Sequence, residues 1–557
     1  MALVNVFKFM PTIKKIAPKD IVEAVERIET QADRCYTSLS ILKIPANVAS
    51  CALLAGGIQM VEREIAKRGD NTSHLTATLI NTGRFLAVAL KWVRMYGKRA
   101  SRLWSLRWNK QIEASVKQAL TVAHNYDVFL TCLPLWHKDR YAVEVASQTW
   151  ARFTVPGTER NRQVAAYQKG FRPKCGRHKG HRAEKTPQTP RMEELFASVF
   201  QGCRKTGGRS FRYADPWELW KELLPEYQAR VDGIVRRSGS LVIGDYSLTE
   251  FKLFYASFLA VCAAHEFLCF AWGKNYGWYP LDSALLIRSR SNWATTLARL
   301  SGIPRNKIDS ILRDLTFDPA SSLDLHIHPF VPLDNAGFQL AVAPQFPLHS
   351  RPDENILRVC SLLRPSVFDA TSLEKEPEML SVVQKVCARF KPCGPISLPA
   401  PVPDIDLLLE DESCSTVAFV EAKWIRKTAR SVEHVARDAE VLKGVGQLTQ
   451  IATFLSENPS YLVSRGILSR PIANYQNVFY VLLARDHWLW IEPTDAMGVV
   501  EFEAFVRIIA ESIDLKSAVE EFFRYNWLPQ EGRDFTVQHD RATANGVTIE
   551  SEVFYPV

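Results

Sequence analysis

The sequence predicts a multidomain protein whose mostly α-helical N-terminal regions lead into a C-terminal α/β domain with an αβββαβ core and a mixed sheet. Three observations predict it. A chain of 557 residues exceeds one ordinary core, and the usual domain size of roughly 100 to 200 residues leads to three or four units. Apolar residues recur every three or four positions through much of residues 18 to 155, the repeat of helices with one buried face. From residue 372 onward, short apolar blocks alternate with helical stretches, the pattern of strands and helices in layers.

Composition narrows the function classes. Hydrophobic residues at 47% and charged residues at 23% are those of a globular chain rather than a disordered one. The net charge of +9 is unevenly spread: residues 1 to 400 carry 55 Lys and Arg against 36 Asp and Glu, whereas residues 401 to 557 carry 14 against 24. A basic body joined to an acidic end suits an enzyme that holds phosphate on cationic surfaces and metal at carboxylates. Eleven cysteines with no CxxC pair and an odd total argue against a disulfide framework and for a reducing, cytoplasmic location. The N-terminus lacks the apolar run and small-residue cleavage site of a secretory signal. The longest apolar stretch, Leu253 to Trp272, is interrupted by His265 and Glu266, which fits a buried helix and no membrane span.

The elements follow in order. Residues 1–157 read as a helical domain, with the repeats clearest in IVEAVERIETQADRCYTSLSIL, LINTGRFLAVALKWVRMYG and IEASVKQALTVAHNYDVFL. Within it, KRASRLWSLRWNK mixes cations with tryptophan, a combination that can bind phosphate and stack bases or simply form a solvated face. Residues 158–190 read as a basic loop or linker. Glu159 to Lys185 contains nine Lys and Arg against two Glu, and Arg172, Lys174, Arg177, Lys179 and Arg182 are its candidate nucleic-acid contacts. Cys175, His178 and His181 have zinc-ligand spacing but no fourth ligand close by, so a phosphate-binding loop is the preferred reading.

Residues 191–320 read as a second helical domain, rich in aromatic core candidates. Its segment 295–315, within ATTLARLSGIPRNKIDSILRDL, has helix-turn-helix spacing: Ala298 packs between helices, Gly302 makes the turn, Pro304 starts the second helix, and Ile308 and Ile311 face inward. Arg305, Asn306 and Lys307 would reach a DNA groove. Residues 321–365 read as a β-hairpin connector, with DNAG between LHIHPFVPL and FQLAVAPQF. Residues 366–530 form the α/β domain, and 531–557 a C-terminal tail.

The α/β domain carries the chemistry. A helix, SLEKEPEMLSVVQKVCARF, precedes the strand-like PVPDIDLLLED and TVAFVEAKW; a long helix containing KGVGQLTQ and the strand NVFYVLLA follow. Asp406 sits among apolar residues, and Glu421 and Lys423 directly follow VAFV. Side chains alternate along a strand, so Glu421 and Lys423 share a face. Charges at such positions call for a chemical reason.

These residues resemble the PD-(D/E)xK nuclease superfamily, which includes restriction endonucleases and Holliday junction resolvases. Pro403-Asp404-Ile405-Asp406 matches the first half of its motif and Glu421-Ala422-Lys423 the second. Asp406 is favoured over Asp404, because the apolar run Leu407 to Leu409 follows it. Glu374, or Glu376 on equal spacing, resembles the family's acidic residue on the preceding helix, and Gln447 its glutamine on the following one. The resemblance covers about residues 370 to 490 and implies a restriction-endonuclease-like fold with Mg²⁺, for which Mn²⁺ can substitute. Asp406, Glu421, the backbone carbonyl of Ala422, and Glu374 or Glu376 would hold the metal. Lys423 would orient the attacking water and offset developing charge, and Gln447 would position the nucleophile. The expected activity is phosphodiester hydrolysis in nucleic acid, DNA in preference to RNA. The helical regions would recognise nucleic acid or a protein partner, and defence against phage or mobile DNA is the role that analogy offers. The rival expectation is an inactive nuclease fold retained for nucleic-acid binding or interaction. Oligomeric state is not legible.

Overall fold

The computed structural model describes residues 18–68, 72–101, 105–157, 159–168, 190–206, 210–234, 241–277, 279–320, 325–334, 337–350, 352–425, 431–485 and 497–557. It is an α-rich protein with a distinct C-terminal α/β unit, in keeping with the expected layout. The five cations from Arg172 to Arg182 and the Cys175, His178 and His181 trio lie outside the described residues.

The first core is made by the helices Lys19–Ala32, Ala46–Arg68, Thr72–Tyr96 and Lys110–His137, whose apolar faces bring Val25, Leu53, Leu86 and Leu120 together. Asn109 caps the last of these, its side chain accepting from the Ile112 amide at 2.9 Å. This region is not wholly helical. Strands Ala142–Ser147 and Trp150–Thr154 pair antiparallel, and the second runs parallel to Val547–Pro556, itself antiparallel to Phe535–Ala544. The segment expected as a C-terminal tail is therefore a hairpin that completes the first domain's sheet and buries Phe535, Val547 and Ile549 in the first core. Its turn is Asn545–Gly546, where both residues have positive φ, 48° and 79°. That is the geometry a two-residue hairpin requires and the reason for Asn-Gly.

The basic loop also begins later than expected, because Glu159–Gln168 is a helix. Val164 and Tyr167 enter the core of the C-terminal unit, Tyr167 lying edge-on to Trp527 with ring centroids 5.5 Å apart. Arg160 stacks on Tyr525 at 4.2 Å, and Arg162 reaches Glu552 at 3.4 Å. Cations that read as part of a basic loop are thus used in packing, since their stems cover apolar surface while their heads find partners.

The central core surrounds the helix Leu248–Tyr276, which starts at a Ser247/Glu250 capping box and stops at Gly277 in the left-handed region. It is long and apolar enough to cross a membrane, but 78% of its most apolar stretch is buried inside the protein. Phe258 and Trp293 meet there with Phe330, at 4.7 and 5.4 Å between rings. The expected hairpin forms: Val331–Pro332 pairs antiparallel with Gln339–Val342, which also pairs with Leu286–Ser289. It is part of this core rather than a connector, for Leu340 and Val342 are fully buried in it.

In the C-terminal unit the order after the helix Pro365–Val386 is, among the described residues, strand, strand, long helix, the short helix Tyr461–Ser464, strand, strand and two helices. This departs from αβββαβ: residues 393 to 396 approach the sheet only through the bridges Cys393↔Leu408 and Ile396↔Ile405, and a strand, Met497–Glu501, is added at the far edge. The sheet runs Leu407–Asp411, Thr416–Trp424, Asn477–Arg485, Met497–Glu501, the first pair antiparallel and the others parallel. The helix Ser431–Glu457 crosses between the two parallel strands and covers their apolar residues with Val441, Val445 and Leu448.

Candidate active site

The site forms where the Leu407–Asp411 strand begins. Leu407 pairs with Val420, so the chain before Leu407 passes the segment from Glu421 to Lys423 without laddering to it. The open backbone is taken up by a side chain: Asp406 Oδ2 accepts from the Ala422 amide at 2.8 Å. In a strand the N–H and C=O of one residue face the same neighbour, so the Ala422 carbonyl points to the Asp406 side as well. Asp404 is turned elsewhere, accepting from the Leu398 amide at 3.3 Å and the Ser397 hydroxyl at 3.4 Å.

Glu421 and Lys423 share a face, and Lys423 Nζ donates to Glu421 Oε1 at 2.5 Å. This ion pair lies on an interior strand, flanked by Leu407–Asp411 on one side and Asn477–Arg485 on the other. A surface bridge on an edge strand does not describe it. Glu421 is 1% exposed, and its second oxygen, Oε2, is buried without a hydrogen-bond partner. The side-chain oxygen of Gln447, on the helix that covers this face, is likewise buried and unpartnered. Unpaired buried oxygens each cost on the order of 1–3 kcal/mol, so two of them in one region mark a place built to receive something.

Two glycines that sequence spacing did not single out make the geometry possible. A Cβ at Gly444 would come within 2.7 Å of the Leu482 side chain and 3.2 Å of the Lys423 stem, so only glycine lets this helix lie directly on the lysine. A Cβ at Gly394 would come within 2.4 Å of the Asp406 carbonyl oxygen, so glycine there lets the preceding segment clasp the aspartate. The signal for Gly444 was present in KGVGQ, since glycine inside a helix costs about 1 kcal/mol relative to alanine and calls for a packing reason.

Of the two glutamates weighed on the preceding helix, Glu376 reaches the site, accepting from the Trp424 amide at 3.3 Å. The side chain of Glu374 lies outside the described residues. Asp438 is buried and paired with Arg140 at 2.5 Å, tying the first domain to the covering helix.

Electrostatics follow from three acids and one lysine in a dry place. Burial pushes Glu421 up to about 7, reinforced by Asp406 and opposed by Lys423. Burial also raises Asp406 and Glu376. Burial works against the charge on Lys423, but Glu421 beside it outweighs this and holds the ammonium above its ordinary value. The site therefore gathers three acids whose ionisation burial opposes around one lysine that favours it.

Among the described residues no group of three or more His, Cys, Asp and Glu side chains is placed to hold a metal ion. The oxygen donors present are the Asp406 and Glu421 carboxylates and the Ala422 carbonyl. All are hard ligands, and with the orphaned Glu421 Oε2 they fit a hard divalent cation better than a soft one.

The DNA-reading residues fare unevenly. The helices Arg290–Ser301 and Arg305–Asp314 do form a pair around Gly302, whose φ is 75°, with Ile308 and Ile311 buried. Arg305 and Asn306 are exposed, and Arg305 donates to the Ser291 hydroxyl at 2.7 Å. Lys307 is not free to read a groove: its Nζ holds Glu250, the capping-box residue, at 2.6 Å.

No family model matches the chain, and neither curated proteins nor solved structures match it.

Proposed function

We propose that the C-terminal unit is a metal-dependent nuclease of the PD-(D/E)xK type that hydrolyses phosphodiester bonds in nucleic acid, DNA in preference to RNA. One observation carries the reading: a fully buried carboxylate, Glu421, has an unpartnered oxygen on the same side of the sheet as Asp406 and Lys423. Asp406, Glu421 and the Ala422 carbonyl would hold Mg²⁺ or Mn²⁺, and Glu376 would add a third carboxylate to their surroundings. The bound cation would supply charge neutralisation at the scissile phosphate and a more acidic water. Lys423 then stabilises the negative charge that develops on the phosphate oxygens, and its stem is fixed by Gly444. Gln447 offers an oxygen to orient the nucleophile. Glu421 must be ionised to bind a cation, so the affinity for metal rises as pH passes through about 7.

The second reading, an inactive nuclease fold kept for nucleic-acid binding or interaction, draws on the Lys423–Glu421 ion pair, which is complete without a metal. Incubating the protein with plasmid, linear duplex, single-stranded DNA and RNA, with Mg²⁺ or Mn²⁺, separates the two. Cleavage that needs the metal and is lost in Glu421→Gln supports the nuclease. No cleavage of any substrate, with no metal-induced rise in melting temperature, supports the inactive fold.

A further inference from the structure

Far from the C-terminal sheet, two carboxylates are joined through one amide. Glu62 on the helix Ala46–Arg68 and Glu266 on Leu248–Tyr276 accept from the same donor, Gln345 Nε2, at 3.4 and 2.9 Å. The Tyr279 hydroxyl lies 3.4 Å from both oxygens of Glu266. Among the described residues, no Lys or Arg forms an ion pair or hydrogen bond with either carboxylate. Arg63, the neighbour of Glu62, turns away to Glu113 at 3.4 Å, and Arg84 on the adjoining helix Thr72–Tyr96 is paired with Asp127 at 3.1 Å.

The other titratable groups facing the pair are Cys262, Cys269 and Tyr279, each raised by burial and neutral at physiological pH. His265 on the same helix and His349 on the helix Gln345–His349 are lowered by burial to about 4, so they are neutral as well. Among the described residues no cation offsets two negative charges here, only the Gln345 and Tyr279 donors do, and two neighbouring, partly buried carboxylates cannot both ionise cheaply.

The elements involved belong to different cores. Ala46–Arg68 packs in the N-terminal core, Leu248–Tyr276 is the axis of the central core, and the helix bearing Gln345 places Phe346 in the first and Leu348 in the second. We propose that Glu62 and Glu266 hold one proton between them, on either carboxyl, and that this singly charged pair, bridged by Gln345, is a latch between the N-terminal and central cores that loosens when the proton leaves. Gln345 positions the pair by donating to both at once.

The direction of the pH effect follows. Burial, reinforced by Glu266, raises Glu62 to about 8, and unfolding returns it to its ordinary value near 4.5. The latch is therefore complete below that ordinary value and is lost as pH rises through about 8.

The test is the melting temperature of the full chain from pH 5 to pH 9, with and without Glu62→Gln. Both proteins carry Glu421→Gln, so that the C-terminal carboxyl does not contribute to the difference. The amide mimics the protonated acid, so the two melt together at pH 5, and at pH 9 the Glu62→Gln protein melts higher by roughly 2–4 °C per kcal/mol of relieved repulsion. Hydrogen exchange gives a second readout: from pH 6 to pH 9 the amides of Ala46–Arg68 and Leu248–Tyr276 lose protection in the parent and keep it in the variant. If Glu62→Gln does not fold, Glu266→Gln replaces it. A melting difference that does not change with pH overturns the proposal. So does a divalent cation that raises the melting temperature of the parent but not of the variant at pH 9, because a cation rather than a proton would then join the cores.

Discussion

Glu421 concentrates the chemistry into one side chain. It is buried, bonded to Lys423 through one oxygen and unpartnered at the other, and burial raises it to about 7. The shift from its ordinary value near 4.5 corresponds to stabilisation on the order of 3 kcal/mol that is present in acid and lost by neutrality. In the absence of metal, Glu421→Gln should therefore melt with the parent near pH 5 and above it near pH 8, while losing cleavage by about 100-fold or more. Added Mg²⁺ should raise the melting temperature of the parent more than that of Glu421→Gln, since a ligand stabilises the state that binds it. Lys423→Ala should lose cleavage and keep the metal-induced rise, because the lysine is not a ligand. If instead both variants are destabilised at pH 8 and Mg²⁺ moves none of the three melting curves, the centre is a structural ion pair.

Elements show what the side chains alone do not. The helix Ser431–Glu457 contains two glycines, and they should respond in opposite ways. At Gly444 an added methyl meets Leu482 and Lys423, so Gly444→Ala should cost about 1–3 kcal/mol and reduce cleavage by displacing the lysine. At Gly446 nothing lies within 4 Å, so Gly446→Ala should stabilise by about 1 kcal/mol through helix propensity with cleavage unchanged. Thermal melts with single-turnover cleavage check both, and equal behaviour of the two variants would remove the helix from the site's architecture. The helix pair around Gly302 permits a similar contrast. Arg305→Glu should weaken duplex binding without changing the melting temperature. Lys307→Glu should cost up to about 1 kcal/mol through its lost pairing with Glu250, a partly exposed interaction. Unchanged duplex affinity in a folded Arg305→Glu protein would leave the helix pair a purely structural element.

At the scale of the whole molecule, the chain closes on itself. The Phe535–Ala544 and Val547–Pro556 hairpin continues the sheet begun at Ala142–Thr154, and Glu550 holds Arg152 at 2.8 Å and Arg541 at 3.0 Å across it. Deleting residues 531–557 should uncover the Trp150–Thr154 edge and remove Phe535, Val547 and Ile549 from the first core. The truncated protein should aggregate, or melt well below the full chain, although every active-site residue is retained. Size-exclusion chromatography and thermal melts decide this, and a monodisperse truncation with unchanged melting temperature would show that the hairpin is dispensable. The pairing of Arg140 with Asp438 adds a second tie, from the end of the first domain to the helix that covers the site.

The sequence by itself determined what depends on near neighbours. Helical periodicity marked the N-terminal core, the Gly302 turn and inward Ile308 and Ile311 marked the helix pair, and strand alternation put Glu421 and Lys423 on one face. The apolar run after Asp406 favoured it over Asp404 without deciding between them. Tertiary structure decided the rest, because each remaining question turned on partners distant in the chain. Asp406 rather than Asp404 meets the Ala422 amide only once residues 393 to 396 clasp the strand. Glu376 is placed by the packing of its helix on the sheet, and Lys307 by the start of a helix 57 positions earlier. The C-terminal hairpin pairs with a strand nearly 400 residues before it, and Gln345 joins Glu62 and Glu266 on two helices that neither local pattern relates. Periodicity reports which face of an element is apolar, but not what that face will meet. Which buried charges find partners, and which are left without, is settled only when the cores close.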